Sequence, residues 1–387
     1  MNSIAARKLK ALIDCTPLSA GGGVQVAVGL LANLFKSKSI DWQAVVPHVM
    51  RAAMPDEIAG SSRMRFLHTR SHIDRIKATR YLHSIEAEMC PDVAFSVFGP
   101  TLFRARAPHL VGFAKPHLIY ARDLGMPGRG MKGAVFDAFG SFLFRRADHI
   151  VVETQIARER FAQCIQFDPA RISVISNAPN PLLKRLPDIP QPDQPFGILM
   201  PSAWYWHKNL DMAPLVAREI AHGAPDLDFQ VRLTLPPDSA HWRRIEASAH
   251  ALGVARNVTT LGALPIEELA SAYRNASVVF LPTQREISTA VYPEAFFFRR
   301  PLVTSDEDFA KELCGDAAIF TPARDAIATA ARLIELASSP EMCRRLVVAG
   351  EEQLAAHYPT PQEKFEMQLA LLENVAAAGR KQTGRII

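Results

Sequence analysis

The sequence is poor in the features that mark specialised chains. Its five cysteines, Cys15, Cys90, Cys164, Cys314 and Cys343, are scattered, odd in number and never spaced as C-x-x-C. That argues against a disulfide framework or a structural zinc site and suits a reducing compartment. No apolar run reaches the roughly 20 residues of a membrane span. The longest, from Ala20 to Phe35, is broken by four glycines, Gln25 and Asn33. The basic opening from Met1 to Lys10 has no continuous apolar stretch behind it, so no secretory signal is expected. There is no low-complexity segment and no short-period repeat. A complete dinucleotide glycine pattern, a Walker lysine and a D-x-D at a strand end are also missing, which argues against the common nucleotide and metal-diphosphate motifs.

What is present is ordinary in amount and uneven in placement. The 387 residues are 48% hydrophobic and 21% charged, which excludes wholesale disorder. The length suits two domains. The formal net charge is only +5, but residues 1–176 hold 23 Lys and Arg against 14 Asp and Glu, net +9, and the remainder is net −4. The two halves are therefore expected to face different partners.

Short apolar runs alternate with helical spacing. Residues 9–14 (LKALID) are the first expected strand, Gly21-Gly22-Gly23 a tight turn and 24–35 a helix. Further strands are expected at 42–46, 93–98, 109–113, 149–153 and 172–175, while 121–140 has no clear pattern. Strands apolar throughout and separated by helices suit a parallel sheet covered on both faces. Residues 177–195 (NAPNPLLKRLPDIPQPDQP) hold six prolines, which remove donors and disfavour helix, so they form a hinge. Alternation restarts with strands expected at 197–200, 229–235, 258–261, 277–281, 302–305 and 318–321. Helices are expected at 265–275, 293–299, 325–338, 340–357 and 361–378. The fold class is thus α/β, two facing Rossmann-like doubly wound parallel-sheet domains. They cover 1–176 and 196–360, and 361–387 is a C-terminal helix and tail packing back on the N-terminal domain. Ligands bind outside the carboxyl ends of such strands, and the cleft between two such domains is the default site.

Five constellations fall at such places. The glycine turn precedes a helix start, where backbone N–H groups meet an anion or a sugar; a plain tight turn is the alternative. Its spacing departs from G-x-G-x-x-G, because Val26 holds the third position. The run Trp204-Tyr205-Trp206-His207-Lys208-Asn209 follows the first strand of the second domain. Lys208 is a point charge suited to phosphate, the aromatics either line the site or pack on the sheet, and Asn209 or Asp211 is expected to cap the next helix. Glu286 lies in the loop after Phe280-Leu281-Pro282, and Glu294 follows Pro293 at a helix start. Carboxylates accept bidentate bonds from vicinal hydroxyls, so sugar and ribose are natural partners. The N–H groups of Ile287, Ser288 and Thr289 suit a phosphate. His117, in PHLVGFAKPHLIY, follows a strand of the first domain. Residues 63–80 (RMRFLHTRSHIDRIKATR) carry five arginines, a lysine and two histidines. They read as a solvated helix face, or as a surface for an anionic acceptor or lipid, and not as a nucleic-acid motif.

Together these segments resemble glycosyltransferase family 4, of the GT-B fold. FLPTQ, the span from Glu286 to Glu294 and PLVTSD look like its E-x7-E region, and LGALPIEELASAYRNASVVFLP like the segment before it. WHKNLD resembles its lysine loop, GGG its glycine loop and ISNAPN its hinge. PDVAFSVFGPTLF and PHLVGFAKPHLIYAR look like a bacterial subgroup associated with surface polysaccharide. The resemblance implies retaining transfer of a hexose from a nucleotide-diphosphate sugar, with no bound metal and no other cofactor. It assigns Lys208 to the diphosphate, Glu294 to the ribose, Glu286 to the sugar hydroxyls, and Ser288 and Thr289 to sugar and phosphate. It also places Gly22 and Gly23 close to the phosphates, His117 near the sugar, and Ala263 and Leu264 at the base. Two departures stand out. Ala203 occupies a position where many relatives carry an arginine, and ISTAV replaces a glycine-rich stretch after the first glutamate. The expected partners are the nucleotide-sugar donor, a saccharide or polyprenyl-linked acceptor and an anionic membrane at its cytoplasmic face, with no nucleic acid. The rival readings are a nucleotide-sugar epimerase of the same fold and a catalytically silent sugar-nucleotide-binding partner.

Overall fold

A computed structural model of the chain describes residues 7–19, 21–69, 71–120, 130–180, 183–184 and 195–383. Two compact units emerge: Met1–Ser176 together with Pro361–Ile387, and Asn177–Thr360. Most of the expected hinge at 177–195, and residues 121–129, lie outside the described residues.

The first unit contains β1 (Leu9–Asp14), α1 (Gly22–Lys36), β2 (Ile40–Pro47), α2 (Asp56–Ala59), β3 (Met64–Leu67), α3 (His72–Met89), β4 (Val93–Ser96) and β5 (His109–Gly112). It continues with α4 (Pro116–Tyr120), α5 (Gly130–Arg145), β6 (His149–Val152), α6 (Gln155–Ile165) and β7 (Ile172–Val174). All seven strands are parallel, in the order β3-β2-β1-β4-β5-β6-β7. The four residues of β4 and of β5 are all buried, which is why both read as largely apolar runs, with the polar Ser96 and His109 bonded to each other. The expected strand at 93–98 stops at Ser96, because Gly99-Pro100 follows and turns the chain. β3 escaped the sequence reading. It is a four-residue edge strand with one fully buried side chain, Met64, and it lies inside the basic stretch at 63–80.

Local chemistry accounts for the helices. Gly21 has φ 72°, a left-handed conformation that suits glycine, and it turns the chain from β1 into α1. α1 then buries Val24, Ala27, Val28, Leu31 and Leu34 along one stripe. Ser71 and Asp74 form a capping box that starts α3. α3 packs on one face of the sheet through Leu82 and Ile85, while α1 packs on the other.

The last helix, α14 (Pro361–Thr383), belongs to the first unit. Phe365, Leu371, Leu372, Val375 and Ala376 join the core beside α1, and the larger of these contribute roughly 1.5–3 kcal/mol each. Gly379 permits the approach, since a Cβ there would sit 2.0 Å from the Pro108 ring. Lys364 pairs with Glu153 at 3.5 Å and Arg380 with Asp92 at 3.2 Å.

The second unit contains β8 (Phe196–Met200), α7 (Met212–Gly223), β9 (Phe229–Leu233), α8 (Ala240–Ala251), β10 (Val258–Thr260), α9 (Ile266–Arg274) and β11 (Val278–Leu281). Then come α10 (Val291–Phe297), β12 (Leu302–Ser305), α11 (Asp308–Cys314), β13 (Ala318–Thr321), α12 (Ala326–Ser338) and α13 (Pro340–His357). Its six parallel strands run β10-β9-β8-β11-β12-β13. The expected strand at 229–235 ends at Leu233, beyond which Leu235 N donates to the Thr260 side-chain hydroxyl instead of to a backbone carbonyl of β10. Both units are therefore doubly wound and Rossmann-like. In each, the strand order reverses between the first strand and the fourth, at β1/β4 and at β8/β11. Among the described residues, no helix is long and apolar enough to cross a membrane.

Candidate functional site

The two loops that leave β8 and β11 lie side by side at the reversal point of the second sheet, the position where doubly wound sheets bind ligands. They are bonded to each other. Gln284 N donates to His207 O at 2.7 Å, and the Thr283 hydroxyl donates to the same carbonyl at 3.2 Å. A single turn of 3-10 helix, Trp206–Lys208, aims Lys208 inward. Asn209 closes that turn in a left-handed conformation, φ 54°. Its side-chain amide donates to Ala323 O at 2.6 Å, which fastens the turn to the loop after β13. Neither Asn209 nor Asp211 caps α7 with its side chain, contrary to expectation: Asn209 is engaged as described, and Asp211 pairs with Arg244 at 2.7 Å.

The loops bring Lys208 and Glu286 together as a buried ion pair. His207 Nε2 lies 3.4 Å from the same Glu286 oxygen, and the Thr283 hydroxyl, 3.0 Å away, shares its one proton between this oxygen and the His207 carbonyl. Lys208 Nζ also donates to the Thr289 hydroxyl at 3.3 Å. The Ser288 hydroxyl is buried with no hydrogen-bond partner among the described residues. Arg285 takes φ 57° and sets its guanidinium 5.5 Å from the Trp206 ring centroid, so residue and ring tie the two loops together. Of the three aromatics, Tyr205 and Trp206 are exposed, while Trp204 stacks on His241 and packs against the core.

Glu294 is in the first turn of α10 and is buried. The Tyr273 hydroxyl of α9 donates to it at 2.9 Å. The two glutamates have opposite proton affinities. Burial pushes Glu286 upward, but the adjacent Lys208 and His207 outweigh it and hold the group at about 2. Burial pushes Glu294 up to about 7, against the Tyr273 bond and the more weakly felt Lys208 charge. One carboxylate is thus firmly ionised, and the other is poised near neutrality.

The remaining expected residues lie elsewhere. Ala263 and Leu264 are in the loop at the carboxyl end of β10, an edge strand, where Gly262 turns the chain at φ 80°. Ala203 is exposed in the loop after β8. Gly22, Gly23 and His117 belong to the first unit: the glycines open α1, and His117 lies in α4 with Nε2 3.6 Å from Asp137 Oδ1. The sequence reading gave no role to Thr283, His207 or Tyr273. All three lie inside the quoted motifs, but the bond of Tyr273 to Glu294, 21 residues away, had no local sign. Among the described residues, no three His, Cys, Asp or Glu side chains converge as a metal site.

Residues 187–353 match the family model described as glycosyl transferases group 1. No curated protein matches the chain by sequence. The solved structure of sucrose-phosphate synthase from Thermosynechococcus elongatus is 18% identical, with 96% of this chain and 100% of that one covered at a TM-score of 0.72. Anabaena HepE in complex with UDP and glucose is 13% identical, with 95% and 100% covered at 0.72. The lipopolysaccharide outer core galactosyltransferase WaaB, in its apo form, is 14% identical, with 94% and 99% covered at 0.63. At such identities the likeness concerns the fold, and the fold is GT-B.

Proposed function

We propose that the chain is a retaining hexosyltransferase of the family 4 type. It would move a hexose from a nucleotide-diphosphate sugar to a saccharide or polyprenyl-linked acceptor in bacterial surface-polysaccharide assembly, at the cytoplasmic face of a membrane. The observation that carries this reading is the buried Lys208–Glu286 pair at the reversal point of the sheet, with Thr289 on the lysine and a titratable Glu294 within range of its charge. The family match over 187–353 supports it.

Breaking the anomeric bond sends its electron pair to the leaving diphosphate. Lys208 would meet that growing charge, helped by the backbone N–H groups of Ser288 and Thr289. Glu286 would accept hydrogen bonds from the sugar hydroxyls, and ionised Glu294 from the ribose diol. Ala263 and Leu264 would touch the base through the backbone. Gly22 and Gly23 would let a phosphate approach the start of α1, and His117 would bond the transferred sugar. The acceptor oxygen would attack the face the diphosphate leaves, through a short-lived oxocarbenium-like species. With a lysine to take the charge, no metal ion is required.

Thermal-shift screening of nucleotides and nucleotide-sugars tests the donor, since a ligand at a hundredfold its Kd stabilises by about 2.7 kcal/mol. Uridine donors come first, because HepE was solved with UDP and glucose. Transfer assays with NMR of the product anomer then test the reaction. Turnover of donor to an epimer without acceptor would establish the epimerase instead. Donor binding without transfer to any acceptor would favour the silent partner, a reading that Ala203 in place of an arginine keeps in play.

A further inference from the structure

The first unit carries an exposed face whose chemistry the transfer reaction leaves unexplained. α5 presents Met131, Val135, Phe139 and Phe142 along one stripe, with Phe136 at its flank; Met131 is 86% exposed and Phe136 68%. Single exposed apolar residues are ordinary, but five large ones on one sixteen-residue helix are not. The helix has one acidic residue, Asp137, set beside His117, and Lys132 borders the stripe. The outer side of α3 has the same mixed character. Ile73 and Ile76 are exposed between Arg75, Lys77 and Arg80. This is the helical part of the basic stretch at 63–80.

Topology brings the two surfaces to one end of the unit. Right-handed crossovers put α3, which joins β3 to β4, and α5, which leads into β6, on the same side of the sheet. Each helix starts at the carboxyl edge of that sheet, so both exposed amino-terminal halves point the same way. Arg75 lies near enough to Lys115, in the turn after β5, for its charge to be felt there.

We propose that this α3/α5 face is an interfacial membrane-docking surface, with the α5 aromatics entering the acyl boundary of an anionic leaflet and the α3 cations on its head groups. Apolar side chains rimmed by Lys and Arg match that boundary chemically. A second copy fits less well, because a two-fold contact through this face would crowd the Lys77, Arg80 and Lys132 charges of both copies into one interface. This gives the net +9 of residues 1–176 a specific place and goes beyond the transfer reaction. The binding is measured with no donor or acceptor present, so its failure leaves the transferase reading standing, and the reverse also holds.

The test is co-sedimentation of the full chain with vesicles of phosphatidylcholine alone and of equal parts phosphatidylcholine and phosphatidylglycerol, at low and high salt. Binding to the anionic vesicles that weakens in salt is expected. F136D/F139D should lose at least about tenfold in partitioning, and K77E/R80E a similar factor. All four side chains are exposed, and circular-dichroism melting at the wild-type midpoint confirms that the variants fold. No vesicle binding by the wild type, or undiminished binding by both variants, would overturn the proposal. So would a concentration-dependent dimer in sedimentation velocity that F136D/F139D abolishes while vesicle binding is absent.

Discussion

The two sheets reverse their strand order at equivalent points, yet the chemistry there differs. In the first unit the reversal point is a closed network. Asp14, the last residue of β1, accepts from Thr16 N at 2.9 Å and from the hydroxyls of Thr16 at 2.6 Å, Ser96 at 2.7 Å and Thr101 at 3.0 Å. Ser96 also meets His109 Nε2 at 2.9 Å. Burial, with Arg146 adding to it, pushes that histidine down to about 3, so it stays neutral. In the second unit the same address holds an ion pair, a carboxyl group near neutrality and a buried hydroxyl without a partner. A satisfied network specifies a fold; a partly satisfied, charged one is suited to a ligand. The fold offers two such addresses, and side-chain chemistry distinguishes them.

The sharpest way to test this contrast is to disarm each address in turn. Glu286→Gln should cost roughly 10²–10³ in kcat, measured by transfer assay. Lys208→Ala should cost a similar factor and also lower stability by about 3 kcal/mol, because it leaves Glu286 buried without its lysine. If either variant retained full turnover, the second address would be structural like the first.

Asp14→Ala should act in the opposite manner. It strips the acceptor from two buried hydroxyls, Ser96 and Thr101, and from the half-buried Thr16, and should cost about 3 kcal/mol in urea denaturation, with unchanged turnover per folded molecule. A selective loss of kcat with normal stability would erase the distinction between the two addresses.

Proton linkage gives an effect of similar size. Glu294 releases its proton at about 7 in the folded chain against 4.5 for an ordinary glutamate. Between those pH values the unfolded chain binds fewer protons, so stability falls as pH rises, by about 3 kcal/mol. Glu286, held at about 2, contributes with the opposite sign: its stabilisation is present above 4.5 and is lost as pH drops toward 2. Denaturation midpoints taken across pH should therefore lose their decline between 4.5 and 7 in Glu294→Gln. The smallest change expected is from Tyr273→Phe, about 1 kcal/mol. Because the Tyr273 bond lowers the Glu294 proton affinity, its removal should also extend the decline to higher pH.

Much of the architecture was legible from sequence, for a clear reason. Strands buried on both faces are mostly apolar, so β4, β5, β11 and β12 stood out despite Ser96, His109, Thr304 and Ser305 within them. β3 did not, since an edge strand with Arg65 in it needs no such run. In the site, Lys208 and Glu286 were visible because each follows a strand end. Tyr273 was not, because its bond to Glu294 spans 21 residues and depends on how α9 and α10 pack.

By itself the sequence determined the alternation of strands and helices, the two glycine and lysine turns and the excess of positive charge before residue 177. These follow from local steric preference and from which side chains leave water. It could not set Glu286 apart from Glu294, two identical side chains eight positions apart. Only the tertiary structure decided that one stays ionised and the other titrates near neutrality. Desolvation and charge–charge energies act through space, and they depend on which groups folding places a few ångströms away.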